Sequence, residues 1–135
     1  MTEEQVLQMK PLVQAYIGDC IYEVYIREYL IAHPYKNVHE LHKQATSFVK
    51  AKAQAEIVTV LQEELTQREL DVVRRGRNAH PHTVPKNADI GQYHMATGFE
   101  ALIGYLHLSG QKDRLATLLQ RSVEIGESLY GITRE

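Results

Sequence analysis

Apolar positions along this chain recur at intervals of three and four, the spacing of helices that bury one face. No stretch shows the strict alternation of a half-buried strand. The first long pattern spans about Lys10 to Ala32; Pro11 suits its first turn and His33-Pro34 ends it. Asn37 offers an N-cap for the next stretch, with Val38, Leu41, Ala45 and Phe48 at helical spacing. Periodicity then continues from Val49 to Leu65 through Ile57, Val60 and Leu61. Thr66 followed by Glu69 forms a capping-box pattern that opens a short helix ending near Gly76. Residues 77–88 contain two prolines and read as a loop. Asp89 can cap a helix running to Leu108, Gly110 fits its C-terminal turn, and Asp113 to Leu129 forms the last helix. The pattern predicts an all-α single domain over residues 1–135, roughly six or seven helices without repeats or an interdomain linker.

Two of these helices carry the same irregularity. Residues 16–30, YIGDCIYEVYIREYL, read as a buried apolar helix, yet Asp19 follows a glycine within it. Ala15, Asp19 and Glu23 lie one turn apart and share a face. A buried isolated carboxylate is costly by several kcal/mol unless a basic partner, helix-cap amides, protonation or a metal ion offsets it. Glu23 is spaced for an ordinary intrahelical pair with Arg27, whereas Asp19 has no basic neighbour at that spacing. Residues 97–108, TGFEALIGYLHL, repeat the theme with Glu100 near one glycine and one turn before Gly104. Small residues allow close helix approach, so the two acids could meet at a helix crossing. Their mutual repulsion would then be relieved by a divalent cation such as Mg²⁺, which favours oxygen ligands. The bland alternative is that each acid sits at the edge of a solvated face.

Composition narrows the function classes. The chain is 44% hydrophobic and 24% charged, as expected of a soluble globular protein. Its net charge of −2 argues against a general polyanion binder. Residues 74–86, RRGRNAHPHTVPK, nevertheless hold four basic residues and no acid, and are where a nucleic acid would be met. The single cysteine, Cys20, excludes an internal disulfide and suits a reducing cytosol. MTEEQVLQMK is not a signal peptide, and no apolar run approaches the ~18 residues of a membrane span; a cytoplasmic location is expected. His39 with His42, and His80 with His82, raise a zinc reading, but no cysteine pair or acid–histidine motif completes a tetrahedral site.

AYIGDCIYE at residues 15–23 resembles the E-F-L-G-D-A-V-L-E signature of the ribonuclease III endonuclease domain, and TGFEALIG at residues 97–104 its second motif, D-x-F-E-A-L-x-G. The chain is most similar to Mini-ribonuclease III, the short branch of that family built from the endonuclease domain alone. YIGD, the segment at 23–27, AKAQAE at 51–56, RGRNA at 75–79, PKN at 85–87 and FEALIGYL carry the resemblance along nearly the whole chain. It implies that Asp19 and Glu100 are catalytic Mg²⁺ ligands. The first motif's glutamate falls on Ala15 and the second motif's aspartate on Thr97. Both departures are characteristic of the short branch and leave the number of metal ions open.

The resemblance further implies a ribonuclease III-like helical fold and a homodimer that cleaves double-stranded RNA with Mg²⁺, leaving 5′-phosphate and 3′-hydroxyl ends, in maturation of 23S ribosomal RNA. A ribosomal protein is a conceivable helper. A separate double-stranded-RNA-binding domain is not expected, so the catalytic domain must grip RNA itself or have it presented. Arg74, Arg75, Arg77, Asn78 and Lys86 are the candidate RNA contacts, since duplex RNA is read through phosphates and shape. Glu23 is a candidate outer-shell group that orients water, set against its pairing with Arg27. Lys50 and Lys52 read as a solvated face, and Tyr93 and His94 could approach RNA. Two other classes compete. One is a non-catalytic RNA-binding or ribosome-associated module on the same fold, kept open by Ala15 and Thr97. The other is a helical protein-interaction domain, which leaves both motifs and the basic segment unexplained.

Overall fold

A computed structural model describes residues 1–79 and 86–131. Its elements are α1 (Glu3–Leu7), α2 (Pro11–Ile31), α3 (Val38–Val49), α4 (Ala51–Leu61), a 3₁₀ turn (Gln62–Glu64), α5 (Gln67–Arg77), α6 (Ile90–Leu108) and α7 (Lys112–Tyr130). The all-α expectation holds, and local chemistry accounts for the ends. Asn37, Thr66 and Asp89 accept hydrogen bonds from Glu40, Glu69 and Gln92 N–H groups at the starts of α3, α5 and α6. Gly110 takes φ +74° just beyond α6, a conformation that favours glycine.

The structure differs from the sequence expectation in four places. The short α1 had no periodic signal; its reciprocal Thr2–Gln5 capping box and the burial of Val6 hold it. The stretch read as continuing helix from Val49 breaks at Lys50, whose extended backbone (φ −64°, ψ 154°) separates α3 from α4. Helix α4 also stops at Leu61 and gives way to the 3₁₀ turn. Arg77 belongs to the last turn of α5 and Asn78 is its C-cap, so neither lies in the loop expected over 77–88.

Helix α6 is the centre of the molecule. All residues from Ala96 to Leu106 except Glu100 are buried, leaving no wide polar face. Helices α2, α4, α5 and α7 pack around it. Tyr22 packs edge-on against Phe99 with ring centroids 4.9 Å apart, and its hydroxyl donates to the Phe48 carbonyl at 2.9 Å. Glycines set the approach of α2. A Cβ on Gly18 would lie 1.8 Å from the Glu100 carbonyl oxygen, and one on Gly104 would lie 1.9 Å from that of Gln14. Backbone therefore touches backbone where α2 crosses α6. Gly76 and Gly98 do the same for α5, since a Cβ on Gly98 would come within 2.6 Å of the Val73 carbonyl oxygen.

Candidate active site

The glycine contact between α2 and α6 positions the two acids. Gly18 rests on the backbone of Glu100, so Asp19, the next residue, projects beside the Glu100 side chain. The carboxyl groups lie within hydrogen-bonding reach of each other. Glu100 is partly buried, and its pKa is pushed up to about 8, first by burial and then by the charge of Asp19. The amide of Gln54 on α4 opposes the shift by hydrogen bonding toward the charged form. The structure thus brings Asp19 and Glu100 together.

Asp19 departs from the expectation of burial: it is exposed, on the rim of the crossing. The face of α2 around it is unusually apolar for a surface. Val13 is 47% exposed, Tyr16 78% and Val24 54%, and Cys20 is also exposed. Helical spacing aligns Val13, Cys20, Val24 and Ile31, with Tyr16 between that line and Asp19. The positions that lack the family's acids are occupied by core residues. Ala15 is buried, and buried Thr97 donates its hydroxyl to the Tyr93 carbonyl at 3.0 Å.

The other candidates separate. Glu23 is engaged by Arg27 at 3.0 Å, with both side chains well exposed. Arg74 pairs with Asp71 at 3.2 Å, and Arg75 donates to the Leu7 carbonyl at 2.8 Å, tying α5 to α1. Arg77 and Asn78 are exposed at the end of α5, where the Arg77 backbone N–H lies against Gly98 of α6. Lys86, Lys50 and Lys52 are exposed, while Tyr93 and His94 are partly buried with their rings 6.4 Å apart. His80 and His82 lie outside the described residues.

Gln54 was missed in the sequence. Its signal was there: Gln54 precedes Val58 and Leu61 at i+4 and i+7, which places a polar side chain on an apolar stripe.

The donor set suits a hard divalent cation. Two carboxylates converge, with no basic side chain acting on Glu100 among the described residues, and Mg²⁺ bound through one or two carboxylates keeps several waters. Among the described residues, no three His, Cys, Asp or Glu side chains form a ready cage, so protein atoms supply only part of a coordination sphere. A groove of about 570 Å³ between α4, α6 and α7 is lined by Glu56, Asp89, Gln92 and Met95 and excludes both acids. Asp19 instead lies at the surface, with Glu100 partly buried behind it.

The matches with known proteins place this helical fold, with its paired acids at a glycine crossing, in a class of nucleases. Residues 13–111 match the model of the ribonuclease III domain. The chain is 47% identical to the Mini-ribonuclease 3 of Thermoanaerobacter sp. (strain X514), over 94% of this chain and 89% of that one. It is 49% identical to the Mini-ribonuclease 3 of Symbiobacterium thermophilum, over 90% and 93%. A crystal structure of a Fusobacterium nucleatum protein superposes with a TM-score of 0.77 at 26% identity, covering 87% of this chain and 93% of its own. The chain belongs to the ribonuclease III family, in its Mini-ribonuclease 3 branch, and is an endoribonuclease.

Proposed function

We propose that this chain is a Mg²⁺-dependent endoribonuclease that cuts double-stranded RNA, leaving 5′-phosphate and 3′-hydroxyl ends, with the 23S ribosomal RNA precursor as substrate. The observation that carries this reading is the pairing of Asp19 with Glu100 where α2 crosses α6. Asp19 and Glu100 would hold the ion. When bound, it supplies charge neutralisation at the phosphate and a water of lowered pKa.

The chain's own residues do the rest. Gly18 and Gly104 fix the spacing of the acids through backbone contact, so little reorganisation is left for the reaction. Loading the site requires Glu100 to give up its proton, which Asp19 disfavours until a cation offsets their repulsion. Arg77 and Asn78, with Arg74 and Lys86, offer donors to phosphates of a duplex laid across α6; Arg75 contributes to fold stability through Leu7.

The exposed apolar line on α2 supports homodimerisation, with a second copy covering Val13, Tyr16, Cys20 and Val24. That arrangement also accounts for the exposure of Asp19 in a lone chain. Tyr16→Glu is expected to give monomers by light scattering.

The direct test is cleavage of a duplex RNA carrying a 23S end stem, with Mg²⁺ or chelator, by the wild type and Asp19→Asn. Cleavage that needs both the ion and Asp19 supports the reading. Intact RNA from a folded dimer points to a binding module. Cleavage that survives Asp19→Asn places the site elsewhere.

A further inference from the structure

Gln54 is 2% exposed, and its hydrogen bonding is only half explained. Its Nε2 donates to the Val49 carbonyl at 2.8 Å, satisfying an acceptor at the C-terminal end of α3. That bond fixes the amide orientation, because the flipped amide would set Oε1 against a carbonyl oxygen. Oε1 is the one buried side-chain polar atom without a partner among the described residues. A buried acceptor left unpaired is uncommon and calls for a donor. The neighbour of this amide is Glu100. Oε1 and Nε2 share one carbon, so the orphan acceptor belongs to the amide that neighbours Glu100.

We propose that Gln54 is a positioning residue of the acid site, its nitrogen steadying Glu100 and its Oε1 accepting a hydrogen bond from a water retained by a divalent cation there. The inference rests on the reading of Asp19 and Glu100 as cation ligands. The chemistry of the donor matches. A cation-bound water has its lone pair committed to the ion and both hydrogens left to donate. Oε1 and a carboxylate oxygen would be the two acceptors for them. Gln54 therefore joins the α3–α4 break at Lys50 to the site on α6, and an apolar residue there would keep the packing but lose the acceptor.

The test is binding of Mn²⁺, followed through the electron paramagnetic resonance of the free ion, with melting in chelator measured alongside. The full-length wild type, Asp19→Asn, Gln54→Met and Gln54→Glu are compared. The wild type should bind Mn²⁺ and Asp19→Asn should not. Gln54→Met should remain folded and bind about ten- to a hundredfold more weakly, the usual effect of removing a group that orients a metal's ligands. Gln54→Glu loses the bond to Val49 and should melt lower, yet it keeps an acceptor and should bind within about threefold of wild type or more tightly. Unchanged binding by Gln54→Met overturns the proposal. So does equal weakening by Gln54→Met and Gln54→Glu, which would leave Gln54 only its role at the end of α3. Should Gln54→Met not fold, Gln54→Glu decides alone, and weakening of about tenfold or more overturns the proposal. If wild type and Asp19→Asn bind alike, the reading of the acid pair fails first and this inference with it.

Discussion

Glu69 and Glu100 are both shielded carboxylates on helices that pack together, and the fold treats them in opposite ways. Glu69 is 4% exposed in the first turn of α5. Burial pushes its pKa up, but Arg114, bound at 2.9 and 2.8 Å, and the Thr66 N–H at 2.9 Å outweigh it, so the acid stays ionised below its ordinary range. Glu100 meets Asp19 instead of a cation, and burial with that second charge drives it up to about 8. Where the acid serves structure, the chain supplies its own counter-charge. At the α2–α6 crossing the described residues supply none, and the proposed cation would fill that role.

The contrast breaks hardest on activity. Glu100→Gln and Asp19→Asn should each lower RNA cleavage by at least about a hundredfold, since each removes half of the acid pair. Neither should lower stability in chelator, because each relieves repulsion. Glu69→Gln should do the reverse. It leaves Arg114 with a weaker partner and should lower the unfolding free energy by about 1–3 kcal/mol in urea titrations, with cleavage per folded molecule unchanged. Loss of cleavage in folded Glu69→Gln, or a destabilised Glu100→Gln, would remove the distinction between the two acids.

pH sharpens the same comparison. The folded chain holds a proton on Glu100 up to about pH 8, whereas the ordinary value is 4.5. Between those values the folded state binds more protons than the unfolded one, so this group makes stability fall as pH rises. In chelator, Glu100→Gln should flatten that slope, and its advantage over wild type should reach on the order of 1–3 kcal/mol by about pH 8 and shrink toward pH 5. Glu69 has a lowered pKa and contributes with the opposite sign, lost only as pH falls through the acid range. Thermal melts across this range check both.

Much of this was legible because glycines and acids leave marks that periodicity cannot absorb. Gly18-Asp19 and Glu100 with Gly104 stood out as charges and small residues inside apolar runs, and those small residues turned out to be the backbone contacts of the crossing. The capping boxes fixed the start of α5 for the same local reason. What the sequence hid depends on distant contacts. Nothing near Asp19 foretells that its face of α2 is left uncovered by the other helices. Arg75 looks like Arg77 in RGRNA, and only the return of α1 beside α5 separates them. The break at Lys50 is a change in one backbone dihedral, with neither glycine nor proline to announce it.

That last pair of arginines gives the smallest expected effect. Arg75→Ala removes the bond to the Leu7 carbonyl and should lower the unfolding free energy by about 1 kcal/mol, with little change in RNA affinity. Arg77→Ala removes an exposed charge at the end of α5 and should leave stability within about 0.5 kcal/mol. It should weaken duplex binding uniformly across sequences and reduce the salt dependence by about one counterion. Filter binding at several salt concentrations, with melts of both variants, separates the two. If Arg75→Ala were the variant that shifts the salt slope, the RNA path would run over the α1 side of α5 and away from the acid pair.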